Sequence, residues 1–152
     1  MERDAAVRYA RFVLIALCLA GSGALRAAER QVVLVVSADS PVQELEQIEV
    51  KKLFLGWPVM RGSHALRPIC NASDAALNDV FLQYVVSMSQ SAYDRRILTQ
   101  VLQHGRPRPL ELTSSAETIR MLNADHYAVS YMWLNEVPAS PRLRVLRVLW
   151  TE

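Results

Sequence analysis

Binding chemistry, not bond-making chemistry, is what the polar side chains of this chain offer. Arg106 and Arg108 alternate with Pro107 and Pro109, and each proline fixes its own φ and restricts its predecessor, so both guanidinium groups sit on extended backbone. They form an exposed cationic pair suited to an anionic ligand or an acidic partner. Ser73 precedes an apolar stripe that begins at Leu77, which makes it the expected N-cap of a helix. Ser37, Asp39, Ser40 and Pro41 end an earlier apolar run with turn and cap chemistry. Catalytic groups are harder to assemble. His64, His104 and His126 are scattered, and the helix dipole alone accounts for His104 beside Gly105. No Ser/His/Asp, Cys/His or paired-carboxylate set follows from the spacing, so the chain is not expected to be an enzyme. Cys70 is the one cysteine after residue 28; with no C-x-x-C pair or His/Cys cluster, neither a disulfide, a metal site nor any other cofactor is expected. Its expected place is a buried strand end.

The elements that must position these residues alternate in type. Val32 to Val36 is a continuous aliphatic run, the pattern of a strand covered on both faces and expected in a parallel sheet. Leu45, Ile48, Val50, Leu53 and Phe54 recur at helical spacing, and Gly56 stands where a helix ends. Trp57 to His64 reads as an exposed loop, and Leu66 to Cys70 as a second strand limited by Pro68. Leu77, Val80, Phe81, Tyr84, Val85 and Met88 form the buried stripe of the next helix. A third helix follows from a cap at Ser89 or Ser91, burying Tyr93, Ile97 and Val101 and stopping at Gly105. Ser114 with Glu117 makes a capping-box pattern for a fourth. Tyr127 to Leu134 and Arg142 to Val145 are the last two strands, with a parity slip at Leu146 and Arg147 that predicts a bulge, an edge, or a change from one-sided to two-sided burial.

Length and charge set the outer limits. The chain has 152 residues, enough for one domain with a real core. Arg3, Arg8 and Arg11 precede the apolar stretch from Phe12 to Ala20 and a cluster of small residues, the layout of a secretory signal peptide over residues 1–28. A domain over 29–152 then remains, exported to the periplasm, with no stable membrane insertion after cleavage. Four of the 17 basic and two of the 15 acidic residues lie before Glu29, leaving 13 of each. A balanced charge excludes broad attraction to nucleic acid.

The aliphatic strand, its polar turn and the closing Leu53-Phe54-Leu55-Gly56-Trp57 together resemble the phosphate-type periplasmic solute-binding proteins, whose corresponding helix closes on a similar "IFLGK...W" pattern. Ala128-Val129-Ser130-Tyr131-Met132 is similar to that family's "AIGYV", with Ser130 in place of glycine. The likeness runs from about Val32 to Val148. It implies an α/β three-layer sandwich, a single lobe of the type 2 periplasmic-binding-protein fold with about four strands and four helices. It implies a phosphate ABC transporter substrate-binding-like protein whose ligand is a small oxyanion such as phosphate, held by Ser37, Ser40, Asn71, Ser73 and Arg106. A membrane permease or a periplasmic sensor is the implied protein partner. In the family, a Ser/Gly/Thr-rich turn after the second strand holds the oxyanion at a helix N-terminus. Here that turn is Asn71-Ala72-Ser73-Asp74, without the glycines and with an acid that repels phosphate. Family transporters are two-lobed, and residues 29–152 supply one lobe. The alternative reading is a single-lobe interaction module that has lost its ligand.

Overall fold

The first strand, β1 (Gln31–Ser37), is buried along almost its whole length, as its aliphatic run requires. The computed structural model describes residues 30–139 and 142–152, so the signal-peptide expectation for 1–28 lies outside the described residues. Burial on both faces was expected to mean parallel pairing, and here the structure differs. β1 runs antiparallel to both neighbours, β6 (Ala128–Trp133) and β7 (Leu143–Thr151). Coverage by helices on both faces, and not strand direction, is what selects the aliphatic run. β4 (Arg67–Asn71) pairs in parallel with β6 and with β5 (Leu110–Leu112), giving a five-stranded sheet in the order β5-β4-β6-β1-β7. β5 adds one strand to the four expected. The segment read as a loop after Trp57 forms a small hairpin, β2 (Met60–Arg61) and β3 (His64–Ala65), turning on Gly62 at φ +58°. The parity slip in β7 is a bulge on an edge strand: Leu34 faces Arg147 and Val35 faces Val145, so Leu146 is left unpaired.

Among the described residues, four helices cover the sheet. α1 (Gln47–Phe54) ends in a Schellman motif, with Gly56 N–H donating to the Leu53 carbonyl and Trp57 N–H to that of Lys52. Gly56 has φ +80°, and a Cβ there would stand 3.2 Å from the Gln100 side chain. α2 (Ala75–Val80) is capped by Asp74 and not by Ser73: the Asp74 carboxylate accepts from the Ala76 amide at 3.0 Å. A π-helical stretch over Phe81–Val86 continues it. The wider turn buries Leu82 and Val86 and leaves Tyr84 exposed, which is why the 3.6-residue stripe misplaces Tyr84. α3 (Gln90–His104) starts from Ser89 and stops at Gly105 as expected, and α4 (Ser115–Ala124) starts from Ser114, whose hydroxyl accepts from the Glu117 amide.

The result is a three-layer α/β sandwich. Val32, Leu34 and Val36 alternate with Val33 and Val35 across β1. The first set packs with Phe54, Phe81 and Tyr131 beneath α1 to α3; the second packs with Ile69, Leu122 and Met132 beneath α4. An aromatic cluster pins the larger side together. Phe81 stacks on Tyr131 at 4.5 Å, Phe54 meets both rings edge-on, and Tyr93 donates to the Phe54 carbonyl at 2.9 Å.

Candidate functional site

Parallel strands β4, β5 and β6 end on the same edge of the sheet, and the turns leaving them converge there. The β4 to α2 turn (Asn71 to Asp74) and the β5 to α4 turn (Thr113 and Ser114) are tied by the Ala72 amide, which donates to the Leu112 carbonyl at 2.8 Å. The N-termini of α2 and α4 are therefore neighbours. The first amides of a helix have no intrahelical acceptor and carry partial positive charge. Asn71 is fully buried and shapes the turn: its Oδ1 accepts from Ser73 N at 3.2 Å and its Nδ2 donates to the Tyr131 carbonyl at 3.1 Å.

A hydroxyl relay crosses the gap between the two helices. Ser115 Oγ donates to Glu136 Oε2 at 2.9 Å, and Ser73 Oγ lies 3.0 Å from Ser115 Oγ. Each hydroxyl has one proton, and that of Ser115 is committed to the carboxylate, so Ser73 is the donor in its pair. The relay ends on a negative charge, Glu136 in the short 3-10 turn Leu134–Glu136 that follows β6. Asp74 puts a second carboxylate at the α2 end. Its Oδ2 accepts from the Trp133 indole N–H at 2.7 Å, and Arg30 lies 3.9 Å away with its guanidinium over the Trp133 ring. The indole hydrogen bond, reinforced by the Ala76 amide, holds the Asp74 carboxyl below the usual aspartate range. The turn brings helix N-termini and serine hydroxyls together, and the hydrogen-bond donors here are already turned toward the protein's own carboxylates.

The five residues expected to share a ligand fall in three places. Asn71 and Ser73 are at this turn. Ser37 and Ser40 follow β1, whose antiparallel course carries them to the opposite edge, beside the amino ends of β4 and β6. There Ser40 Oγ donates to the His126 carbonyl at 2.6 Å and accepts from the Val42 amide, while Ser37 Oγ accepts from the Asp39 amide. Arg106 also lies toward the amino end of β4, with its guanidinium on the Gln100 side chain and over Trp57. Ser115, Glu136 and Trp133 join the turn without having been expected. Ser115 stood next to a recognised cap, and the other two had no local signal. Cys70 is buried as expected, its thiol pushed up to about 11 by loss of solvent. Among the described residues no group of three or more His, Cys, Asp or Glu could hold a metal ion, and no helix is long and apolar enough to cross a membrane.

No protein-family model matches this sequence, and no curated protein matches it. Solved structures do resemble the fold. An ABC-type phosphate transport receptor from Vibrio cholerae superposes with a TM-score of 0.57 at 11% identity, covering 79% of this chain and 46% of the receptor. A substrate-binding protein of the phosphate ABC transporter type from Clostridium perfringens, solved with phosphate bound, gives 0.59 at 11% identity, over 79% and 45% of the two chains. PstS from Borrelia burgdorferi gives 0.53 at 10% identity, over 78% and 47%. The fold is thus that of phosphate-type periplasmic binding domains, and this chain spans a little under half the length of those proteins.

Proposed function

We propose that this chain is an exported, periplasmic substrate-binding module of the phosphate ABC transporter kind, holding a small oxyanion such as phosphate weakly at the turn formed by Ser73, Ser114 and Ser115. The observation that carries this reading is the convergence of two helix N-termini and the Ser73–Ser115 hydroxyl pair at the carboxyl ends of parallel strands. The fold it shares with phosphate-binding structures supports the same ligand class. Asn71 acts by shaping the turn. Ser37, Ser40 and Arg106 lie away from it and are assigned no contact with the ion. Weak binding follows because phosphate must displace Glu136 from the relay and approach Asp74. Calorimetric titration of residues 29–152 with phosphate and sulfate tests this. Heat saturating at millimolar phosphate and lost in Ser115→Ala is expected; its absence in the native chain at tens of millimolar rules the reading out.

A second reading is favoured by one specific observation, the two internal carboxylates that take up the donors of the turn. On that reading the lobe no longer needs a ligand and serves a membrane permease or a periplasmic sensor. Glu136→Gln separates the two. Removing a like charge a few ångströms from the ion raises phosphate affinity about tenfold if the turn is an anion site. If the lobe is ligand-free by design, neither protein gives heat.

A further inference from the structure

The side of the molecule away from the serine turn carries an open apolar cleft with a cationic rim. Its cavity volume is about 120 Å³, at the amino end of β4 between the end of α1 and the loop after α3. Leu53, Trp57, Pro58, Leu66 and Pro68 line it, and among the described residues the only charged lining residue is Arg106. Trp57 is 38% exposed, and the guanidinium carbons of Arg106 and Arg96 lie 4.4 and 5.7 Å from the centre of its ring. Both cations are short of partners. Arg106 bonds the neutral Gln100 side chain, the Arg96 Nε is buried with no acceptor, and among the described residues neither forms an ion pair. Lys51 and Lys52 lie in the last turn of α1, just before Trp57 in the chain, and the His104 ring is centred 6.4 Å from the indole.

We propose that this cleft docks an acidic peptide segment of a partner protein, which seats one apolar side chain against Trp57, Leu66 and Pro68 and brings carboxylates to Arg96 and Arg106. The volume suits a single leucine- or phenylalanine-sized side chain. Two guanidinium groups against one indole call for more than one carboxylate, which a peptide supplies and a small monocarboxylate does not. Tryptophan and arginine are the residue types that carry binding energy at protein interfaces, and a floor fixed by prolines loses little entropy when it is covered. Charge balance elsewhere on the chain argues against a nucleic acid strand, which needs a long basic track.

The test uses residues 29–152 labelled with nitrogen-15, following the Trp57 indole N–H. The probe is a short peptide with one phenylalanine between paired glutamates. It is compared with the same peptide carrying lysines, with phenylpropionate, and with a single-stranded oligonucleotide. Selective, saturable shifts with the glutamate peptide are expected, weakened several-fold by added salt and about tenfold in Arg96→Gln/Arg106→Gln. Arg106→Lys, which keeps the charge and loses the planar fork, gives an intermediate loss and serves if the double variant melts early. Equal binding of the lysine peptide, equally tight phenylpropionate, preference for the oligonucleotide, or no shift at millimolar peptide would each overturn the proposal.

Discussion

Asp74 accepts hydrogen bonds from the Trp133 indole and the Ala76 amide and stands near Arg30, so one side chain ties the start of α2 to the end of β6 and to the residue before β1. Replacing it with alanine removes the cap and leaves the indole N–H without its acceptor, a loss of about 1 kcal/mol. The sign with pH follows from the lowered carboxyl. A carboxylate whose folded pKa lies below the ordinary aspartate value of 3.8 contributes fully above that value and is lost as pH falls through the folded one. Thermal melts of the native chain and Asp74→Ala therefore differ at neutral pH and converge in strong acid. Cys70 gives a second check at this scale. With its thiol pushed up to about 11 and its side chain buried, a disulfide reagent at pH 8 labels it slowly in the folded protein and rapidly in urea.

Ser87 ends the π-helical stretch at φ 58°, the one non-glycine residue at positive φ among those described. A left-handed conformation costs an L-residue with a Cβ about 1 kcal/mol, so Ser87→Gly is expected to raise stability by up to that amount in urea titration. The backbone distortion upstream also explains what could be read from sequence here and what could not. Tyr84 obeys a helical period, and only the wider turn moves it outward. The strand at Val32 to Val36 was legible because five aliphatic residues in a row need cover on both faces; its direction was not, because that cover is the same for either direction. Leu110–Leu112 is three residues long, with two of them exposed, and gives no strand signal by itself. Caps at Ser89, Ser114 and Gly105 were legible because the chemistry is local. The serine relay was half legible: Ser73 lies on a recognisable turn, whereas Glu136 reaches it from a segment far along the chain, and Ser37 and Ser40 were assigned to the same ligand through a strand that runs the other way.

At the scale of the molecule, β1 is the organising strand, because it lies between the last two strands made. Its partners run from Val129 to Thr151, so nearly every ladder bond it makes spans about a hundred residues or more of chain. Removal of residues 142–152 takes β7 away and opens one side of β1 to water. Circular dichroism of that truncated chain is expected to lose the cooperative melt while keeping some helix. A ribosome releases Val32 to Val36 long before Leu143 exists, and loop-closure entropy over that separation delays the pairing further. Until β7 has emerged, the nascent polypeptide cannot complete the sheet around Val32 to Val36, so consolidation of the core waits on the strand made last of the five.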